Sequence, residues 1–383
     1  MQLYWIWLSL LEELSLREKL GLLERFSDPE EIYTGARLPD GAEPNRDLTK
    51  AKQMENLCLR RGICILPISD TRYPARLRNI IDPPLVLYYR GNLPDFEAAP
   101  CIGVVGTRKA SEYGLRMAQK VSTEIASCGA VVISGGAAGI DTKALMGAYK
   151  VRKPTVTVLG CGVDVAYPPK NRKLFGDLTA DGCLLSEYPP GTDPKPWQFP
   201  QRNRIISGIC NGLLVVEAPM RSGALITANL AAEQGRDVFA IPGNIDSEFS
   251  KGSNKLLQEG AGAVLSGWDA VAPYEDRYSG VARMEPEEII DEEEPKKRSG
   301  KKVDKKDIDN PATKPYSVMV NNNLQLTEQE ARILEYVPYT ATDMDAVIES
   351  TGEPAAEVLR VLTRMSLTGM IVIHPGKLVS RNH

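Results

Sequence analysis

What most constrains the fold of this chain is an alternation between residues 100 and 272. Short runs that are apolar throughout recur there, and helical patterns fall between most of them. Cys101–Val105, Ala130–Ser134, Thr155–Leu159, Cys183–Ser186, Leu213–Val216, Val238–Ile241 and Ala263–Leu265 read as strands. A strand that is apolar on both faces must be covered on both faces, and helical connections join parallel neighbours. The expected fold class is α/β, with a doubly wound, mostly parallel sheet. In such sheets ligands bind at the carboxyl ends of the strands.

The flanking segments differ in character. Residues 1–95 are expected to form an N-terminal helical domain, because "LSLLEELSLREKLGLLERFSDPEEIY" sets its leucines at helical spacing with charges between them. Two Pro-bounded segments follow, "ICILPISDTRYPARLRNI" and "PPLVLYYRGN", the second a strand feeding the α/β domain assigned to 96–274. Residues 275–320 pass from an acidic to a basic block and read as a disordered charged linker. A solvated tether is the plain role for it, and nonspecific attraction of phosphate to its lysines is the alternative. In residues 321–383, Thr327 and Glu330 form a capping-box pattern. A second helix near 343–350 stops at Gly352, a third runs Pro354–Leu367, and two strands flank Pro375-Gly376. Three helices and a hairpin suggest a winged helix.

Composition narrows the chemistry. The chain has 383 residues, 43% of them hydrophobic, enough for about two or three domains with cores. Its net charge of −4 rules out a globally basic surface, so any polyanion site must be local. The seven cysteines include no C-x-x-C pair, which fits reduced, buried thiols of a cytoplasmic protein. "YWIWLSLL" runs directly into Glu12 and Glu13 without a basic flank, and no apolar run reaches membrane-spanning length. Neither a signal peptide nor a membrane span is expected. The only histidines are His374 and His383, which removes His-based triads and His-rich zinc sites from the body of the protein. No nucleophile–base pair or paired carboxylates can be assembled. The expectation is a protein that is not an enzyme, with no metal and no cofactor.

The loops after the strands are rich in small residues. "GVVGTRKASEYG" places Gly106, Thr107 and Arg108 ahead of a helix expected to start near Ser111. "SGGAAGIDTKAL" offers Ser134, Gly135, Gly136 and Gly139, whose backbone N–H groups could cradle an anion, with Asp141 in the following helical turn. "GCGVDVAYPPKNRKL" clusters Lys170, Arg172 and Lys173 around Asn171, and "RSGALITA" opens a helix with Ser222 and Thr227. In "FPQRNRIISGICNG", Arg202, Asn203 and Arg204 precede the apolar Ile205, Ile206 and Ile209, which puts two cations at the positive end of a helix dipole. An anion is the expected companion. Several such loops on one edge suit a polyanionic strand, with Phe199, Trp197, Tyr167 and Phe175 near enough to stack unpaired bases.

Plainer readings stand beside these. Arg202 or Arg204 could pair with Glu187 or Glu217, Trp197 and Phe199 could pack over the sheet, and Asp141 and Asp164 could cap turns. The first loop reads G-x-x-G-T-R, not the dinucleotide fingerprint, and no phosphate-loop motif exists. A nucleotide-binding or nucleotide-hydrolysing protein is the alternative function, although "IPGNI" lacks the motif and glutamate of nucleotide phosphoribohydrolases. A winged helix acting as the main DNA reader is a third reading, thinly supported by Arg360 and Arg364.

"GVVGTR", "SGGAAGID", "GCGVDVAYPPKNRKL", "SEYPPG", "FPQRNRIISG", "VVEA", "SGALITA", "EQGRDVFAIPG" and "GSNKLLQEGA" occur in this order across roughly residues 60–272. The set resembles the DNA-processing protein A family, DprA or Smf. That resemblance implies an extended Rossmann domain that binds single-stranded DNA, usually as a homodimer. It implies a role in natural transformation: protection of incoming single strands and loading of the RecA recombinase. It also implies an N-terminal SAM-like helical domain and a C-terminal winged helix. Carried over by motif, Arg108 is the DNA-contacting arginine, and Lys170, Lys173, Arg202 and Arg204 line a positive pocket. Ser134, Gly135, Gly136 and Gly139 correspond to a phosphate cradle. Gly106, Thr107, Asn171, Phe199, Asn203, Ser222 and Thr227 complete the expected binding set. Thr107 and Ala224 stand where many members have serine, which removes a hydroxyl at Ala224.

Overall fold

A computed structural model of the chain describes residues 2–37, 43–283, 328–338, 342–367, 370–374 and 378–381. Contacts divide the chain into two units, Met1–Glu292 and Glu293–His383.

Four helices open the first unit: α1 (Gln2–Leu10), α2 (Leu16–Arg25), α3 (Pro29–Gly35) and α4 (Thr49–Arg61). Local chemistry sets their ends. Ser15 and Glu18 cap α2 reciprocally, Asp28 caps α3 just ahead of Pro29, and α4 stops where Gly62 turns left-handed at φ 60°. Trp5, Ile6, Trp7 and Leu8 of α1 are buried in a core that also contains Val86, Tyr88, Phe175 and Leu184. The N-terminal helices therefore share a core with the sheet.

The sheet itself begins early. β1 (Cys64–Pro67) and β2 (Val86–Gly91), with the one-turn α5 (Ala75–Arg78) between them, form an antiparallel pair. Then β3 (Cys101–Val105), α6 (Glu112–Ser127), β4 (Val131–Ser134), α7 (Ile140–Lys150) and β5 (Thr155–Val158) alternate. They are followed by α8 (Arg172–Leu178), β6 (Cys183–Ser186), α9 (Gln198–Ile209), β7 (Gly212–Val215) and α10 (Gly223–Glu233). The unit closes its sheet with β8 (Asp237–Ala240), α11 (Lys251–Gln258) and β9 (Gly262–Ala263). All nine strands lie in one sheet of order β1-β2-β6-β5-β4-β3-β7-β8-β9, and β2 pairs antiparallel with β6. The expected division at 95/96 consequently runs between two strands of a single sheet.

Strands β3 to β9 pair in parallel. From β3 the chain winds outward through β4, β5 and β6, then returns to lay β7 on the opposite side of β3. The strand order reverses between β3 and β7, which creates a crevice at their carboxyl ends. Both faces are covered: Cys101 and Val105 of β3 face one core, Ile102 and Val104 the other. Gly103 has room for no side chain, because an added Cβ would lie 2.6 Å from Leu213 and 2.8 Å from Cys210. That lets α9 sit close on the sheet. Six of the seven cysteines are buried and all are free thiols, with Cys64 exposed. Among the described residues no helix is long and apolar enough to cross a membrane.

Gly139 shows how tightly the crevice loops are built. It has φ 83°, and a Cβ there would meet the Thr107 carbonyl oxygen at 2.5 Å. Gly139→Ala is expected to lower stability by about 1–3 kcal/mol, read as a shift in denaturant midpoint without a change in slope. An unchanged midpoint would contradict the packing described.

Residues 275–283, expected to open the charged linker, are folded onto the first unit. A 3₁₀ turn spans Ala272–Arg277, and Tyr278 and Val281 are buried beyond it. The Tyr278 hydroxyl accepts from Asn211 Nδ2 at 3.0 Å. Residues 284–320 lie outside the described residues.

The second unit contains α12 (Glu328–Glu335), β10 (Thr342–Asp343), α13 (Met344–Thr351), α14 (Ala355–Leu367), β11 (Ile371–His374) and β12 (Leu378–Arg381). Ile333, Val347, Val358, Leu362 and Val379 form its core. The strands order as β10-β12-β11, a three-stranded sheet on three helices, which is the winged-helix arrangement. β10 is too short to leave a periodic signal. Thr327 of the capping box, and Pro375 and Gly376, lie outside the described residues. Arg360 pairs with Glu357 at 2.7 Å, and Arg381 bonds the carbonyls of Leu334 and Val337.

Candidate functional site

A cavity of about 640 Å³ occupies the crevice where the strand order reverses. The loop after β3 supplies Gly106, Thr107, Arg108 and Lys109 to its wall. The start of α9 contributes Phe199, Arg202 and Asn203, and the start of α10 contributes Arg221, Ser222 and Thr227. Tyr167, Asp141 and Phe249 also line it, as does Glu248, whose carboxylate is paired with Lys251.

A stack of side chains stands on one side, with Arg108 and Tyr167 exposed and the Phe199 ring half-buried between them. The Arg108 guanidinium carbon lies 5.2 Å from the centroid of the Phe199 ring, and Tyr167 tilts onto the same ring at 5.3 Å. Gly160 makes room for Phe199, since a Cβ there would come within 3.0 Å of the ring. Arg108, Lys109 and Arg221 are exposed, and among the described residues none of their side chains forms an ion pair or hydrogen bond; Arg108 lies over the ring. Lys170, Arg172 and Lys173 are also exposed, on the segment that follows Tyr167.

The two arginines expected at a helix terminus are not there. α9 begins at Gln198, so Arg202 and Arg204 fall in its second turn. Pro200, which breaks the apolar pattern in the sequence, occupies the first helical turn, where its missing N–H has no partner to lose. Arg204 is committed within the fold. It makes a two-pronged contact with Glu187 at 2.6 and 3.1 Å and reaches Asp82 at 2.8 Å. Glu217, the other partner considered, instead accepts from the Ser111 backbone N–H and hydroxyl at the start of α6.

Arg202 is 4% exposed and donates to the carbonyls of Gly135 (2.6 Å) and Val158. Burial pulls its guanidinium down to about 10, opposed by the neighbouring Asp141 carboxylate. Burial likewise pushes the Asp141 carboxyl above the usual range, while Arg202 and Arg108 hold it down. The backbone N–H of Ala137 donates to Asp141 at 3.3 Å, and that of Gly135 also serves it. The loop expected to cradle a phosphate therefore cradles the protein's own carboxylate.

The rest of that loop is structural. The Ser134 hydroxyl donates to the Val104 carbonyl at 2.7 Å, and Asn171 donates to Gly136 O at 3.0 Å and to Thr142 at 2.8 Å. A Cβ on Gly135 would meet the Arg202 guanidinium, and one on Gly136 would meet Thr157 and Phe175. Phe175 is buried and offers no stacking face. Ser222 caps α10 through the Ala224 N–H at 3.3 Å, and Thr227 donates to the Gly223 carbonyl.

A carboxyl that holds its proton more tightly when folded makes stability rise as pH falls toward the ordinary carboxylate value. Asp141→Asn lacks that rise. Wild type is therefore expected to gain on the variant as pH drops from neutral to mildly acidic, measured by denaturant unfolding. A constant difference between the two would contradict the burial of Asp141.

Of the expected set, Gly106, Thr107, Arg108, Phe199, Arg202, Asn203, Ser222 and Thr227 line the cavity. Ser134, Gly135, Gly136, Gly139, Asn171 and Arg204 are engaged in the packing around it, and Lys170 and Lys173 lie on the nearby surface. Lys109 and Arg221 were missed by the sequence reading. Each adjoins a motif that it used: Lys109 follows Arg108, and Arg221 precedes "SGALITA".

Comparison with known proteins bears on this arrangement. The sequence profile described as DNA recombination-mediator protein A matches residues 64–274, and that of the DprA winged helix domain matches 321–377. The DNA processing protein DprA of Streptococcus pneumoniae (strain ATCC BAA-255 / R6) is 47% identical over 208 residues, 54% of this chain and 73% of its own length. The X-ray structure of DprA from Streptococcus pneumoniae aligns with a TM-score of 0.60 at 37% identity, covering 71% of this chain and 97% of that one. A structure of DNA processing protein A from Helicobacter pylori, described for its single-stranded DNA binding mode, aligns with a TM-score of 0.51 at 27% identity. It covers 56% of this chain and 97% of that chain. The first profile begins at the strand pair β1–β2, where the sheet itself begins, and spans more than half of the sequence. The chain belongs to the DNA recombination-mediator protein A family, the DprA/Smf proteins.

Proposed function

We propose that this chain binds single-stranded DNA along the crevice between β3 and β7 and acts in DNA processing during natural transformation. The observation that carries this reading is the stack of Arg108, Phe199 and Tyr167, whose two outer members are exposed. An aromatic face accepts any unpaired base, and the guanidinium beside it can meet the phosphate of the same nucleotide. Lys109 and Arg221 on the cavity wall, with Lys170 and Lys173 on the neighbouring surface, extend the positive track. Side chains rather than loop amides hold the phosphates, since the Gly135 and Ala137 amides of the second loop serve Asp141. The single-stranded DNA binding mode described for the Helicobacter pylori protein supports the same ligand.

On this reading the protein works by binding, as a homodimer that shields incoming strands and delivers them to RecA. Binding of labelled oligo-dT, compared with a duplex of equal length, tests the ligand. Mononucleotide binding with base release, and no oligonucleotide binding, would transfer the cavity to the nucleotide-hydrolase alternative.

A further inference from the structure

The indole of Trp197 is 53% exposed, whereas Trp5 and Trp7 are buried in the N-terminal core. Its position is fixed from below. Tyr188 meets it edge-on, with ring centroids 6.2 Å apart and planes at 80°. The Tyr188 hydroxyl donates to Gln201 Oε1 at 3.2 Å, which ties that ring to the first turn of α9. Trp197 is itself the residue that caps α9, with helical backbone angles of φ −72° and ψ −21°. Its orientation is thus set by the helix that also presents Phe199.

Residues 197 and 199 are two apart on a helix, so their side chains leave the axis about 200° apart. Phe199 points into the cavity beneath Arg108, and Trp197 faces the other flank of the same turn. Pro196, which lines the cavity together with Phe199, directly precedes Trp197. Lys195 and Asp193 are exposed just upstream, and the nearby carboxylate of Glu187 is neutralised by Arg204. The shelf is therefore not barred to a polyanion.

From this placement we infer that Trp197, braced by Tyr188, is a second stacking shelf that receives an unpaired base of the strand as it leaves the crevice. The inference rests on the proposed single-stranded DNA reading and adds a subsite to it. The occupant is the same nucleic-acid strand, because Trp197 directly follows the cavity-lining Pro196 and stacking needs no sequence-specific contact.

The test uses the full-length protein and oligo-dT of increasing length, followed by anisotropy and by tryptophan emission. Oligonucleotides long enough to pass the crevice are expected to quench the emission of wild type. Trp197→Phe is expected to lose most of that quenching while its affinity changes by less than about threefold. Trp197→Ala is expected to bind long oligo-dT about tenfold more weakly, with the shortest binding oligomer unaffected. Both variants should melt with wild type, because the ring is exposed. If wild type binds but Trp197→Ala matches it at every length, the shelf is overturned while the crevice reading stands. If Trp197→Ala instead sediments as a smaller assembly with unchanged DNA affinity, the ring belongs to a protein contact and the shelf is overturned. Absence of oligonucleotide binding by wild type would overturn both readings.

Discussion

Replacing Arg202 by alanine is expected to cost about 3 kcal/mol of folding stability or more, the scale for leaving buried carbonyls without a donor and a nearby buried carboxylate without its opposite charge. The loss has three sources in the structure. Asp141 keeps its charge in a buried site without its main counter-charge, and the carbonyls of Gly135 and Val158 lose their donor. A void also opens beneath the cavity. Adding Asp141→Asn to Arg202→Met should recover a large part of the loss, because neither charge then remains buried alone. Urea unfolding of the two variants checks this. A loss below about 1 kcal/mol in Arg202→Ala would place the guanidinium outside the core. Weakened DNA binding by Arg202→Ala at a temperature where it is partly unfolded says nothing about a phosphate contact, so its binding must be read well below its melting point.

Arg108→Ala is the opposite case. The side chain is exposed, lies over the Phe199 ring and acts on the buried Asp141 only at longer range, so melting is expected to change little. Its removal takes away a phosphate partner and the cation over the stacking face. Single-stranded affinity should fall about tenfold or more, uniformly across sequences, and the salt slope should shrink by about one. An earlier melt with an unchanged salt slope would make Arg108 a structural residue.

These two arginines show where sequence stops being sufficient. Arg108 and Arg202 each follow a polar residue at the carboxyl edge of the sheet, and nothing in the sequence separates the exposed one from the buried one. The distinction depends on Pro200. A proline inside "FPQRNR" reads as a break, yet it occupies the first turn of α9 and shifts Arg202 and Arg204 one turn inward. The glycines misled for a related reason. A run such as Ser134-Gly135-Gly136 marks a place where something approaches the backbone closely, and here the visitors are Arg202, Asp141 and Phe175 from the same chain.

The inner strands β3 to β7 were legible because both of their faces are buried, which leaves continuous apolar runs with ends displaced by at most one residue, whereas the exposed edge strand β9 shares only Ala263 with the expected run. Cys101–Val105 and Cys183–Ser186 match the observed strands residue for residue. The antiparallel β1–β2 addition was less legible, since β1 lies among prolines and an aspartate and pairs with a partner about 20 residues on. The Arg204–Glu187 pair was one of the alternatives weighed in the sequence, and the fold selects it because Glu187 follows β6 directly and faces α9.

Affinity for single strands over duplex is the most direct measure of the account. Labelled oligo-dT should bind the full-length protein tightly, more weakly as salt rises, and in preference to a duplex of equal length. Salt-insensitive binding, or a preference for the duplex, would contradict a crevice that combines a stacking face with a track of cations.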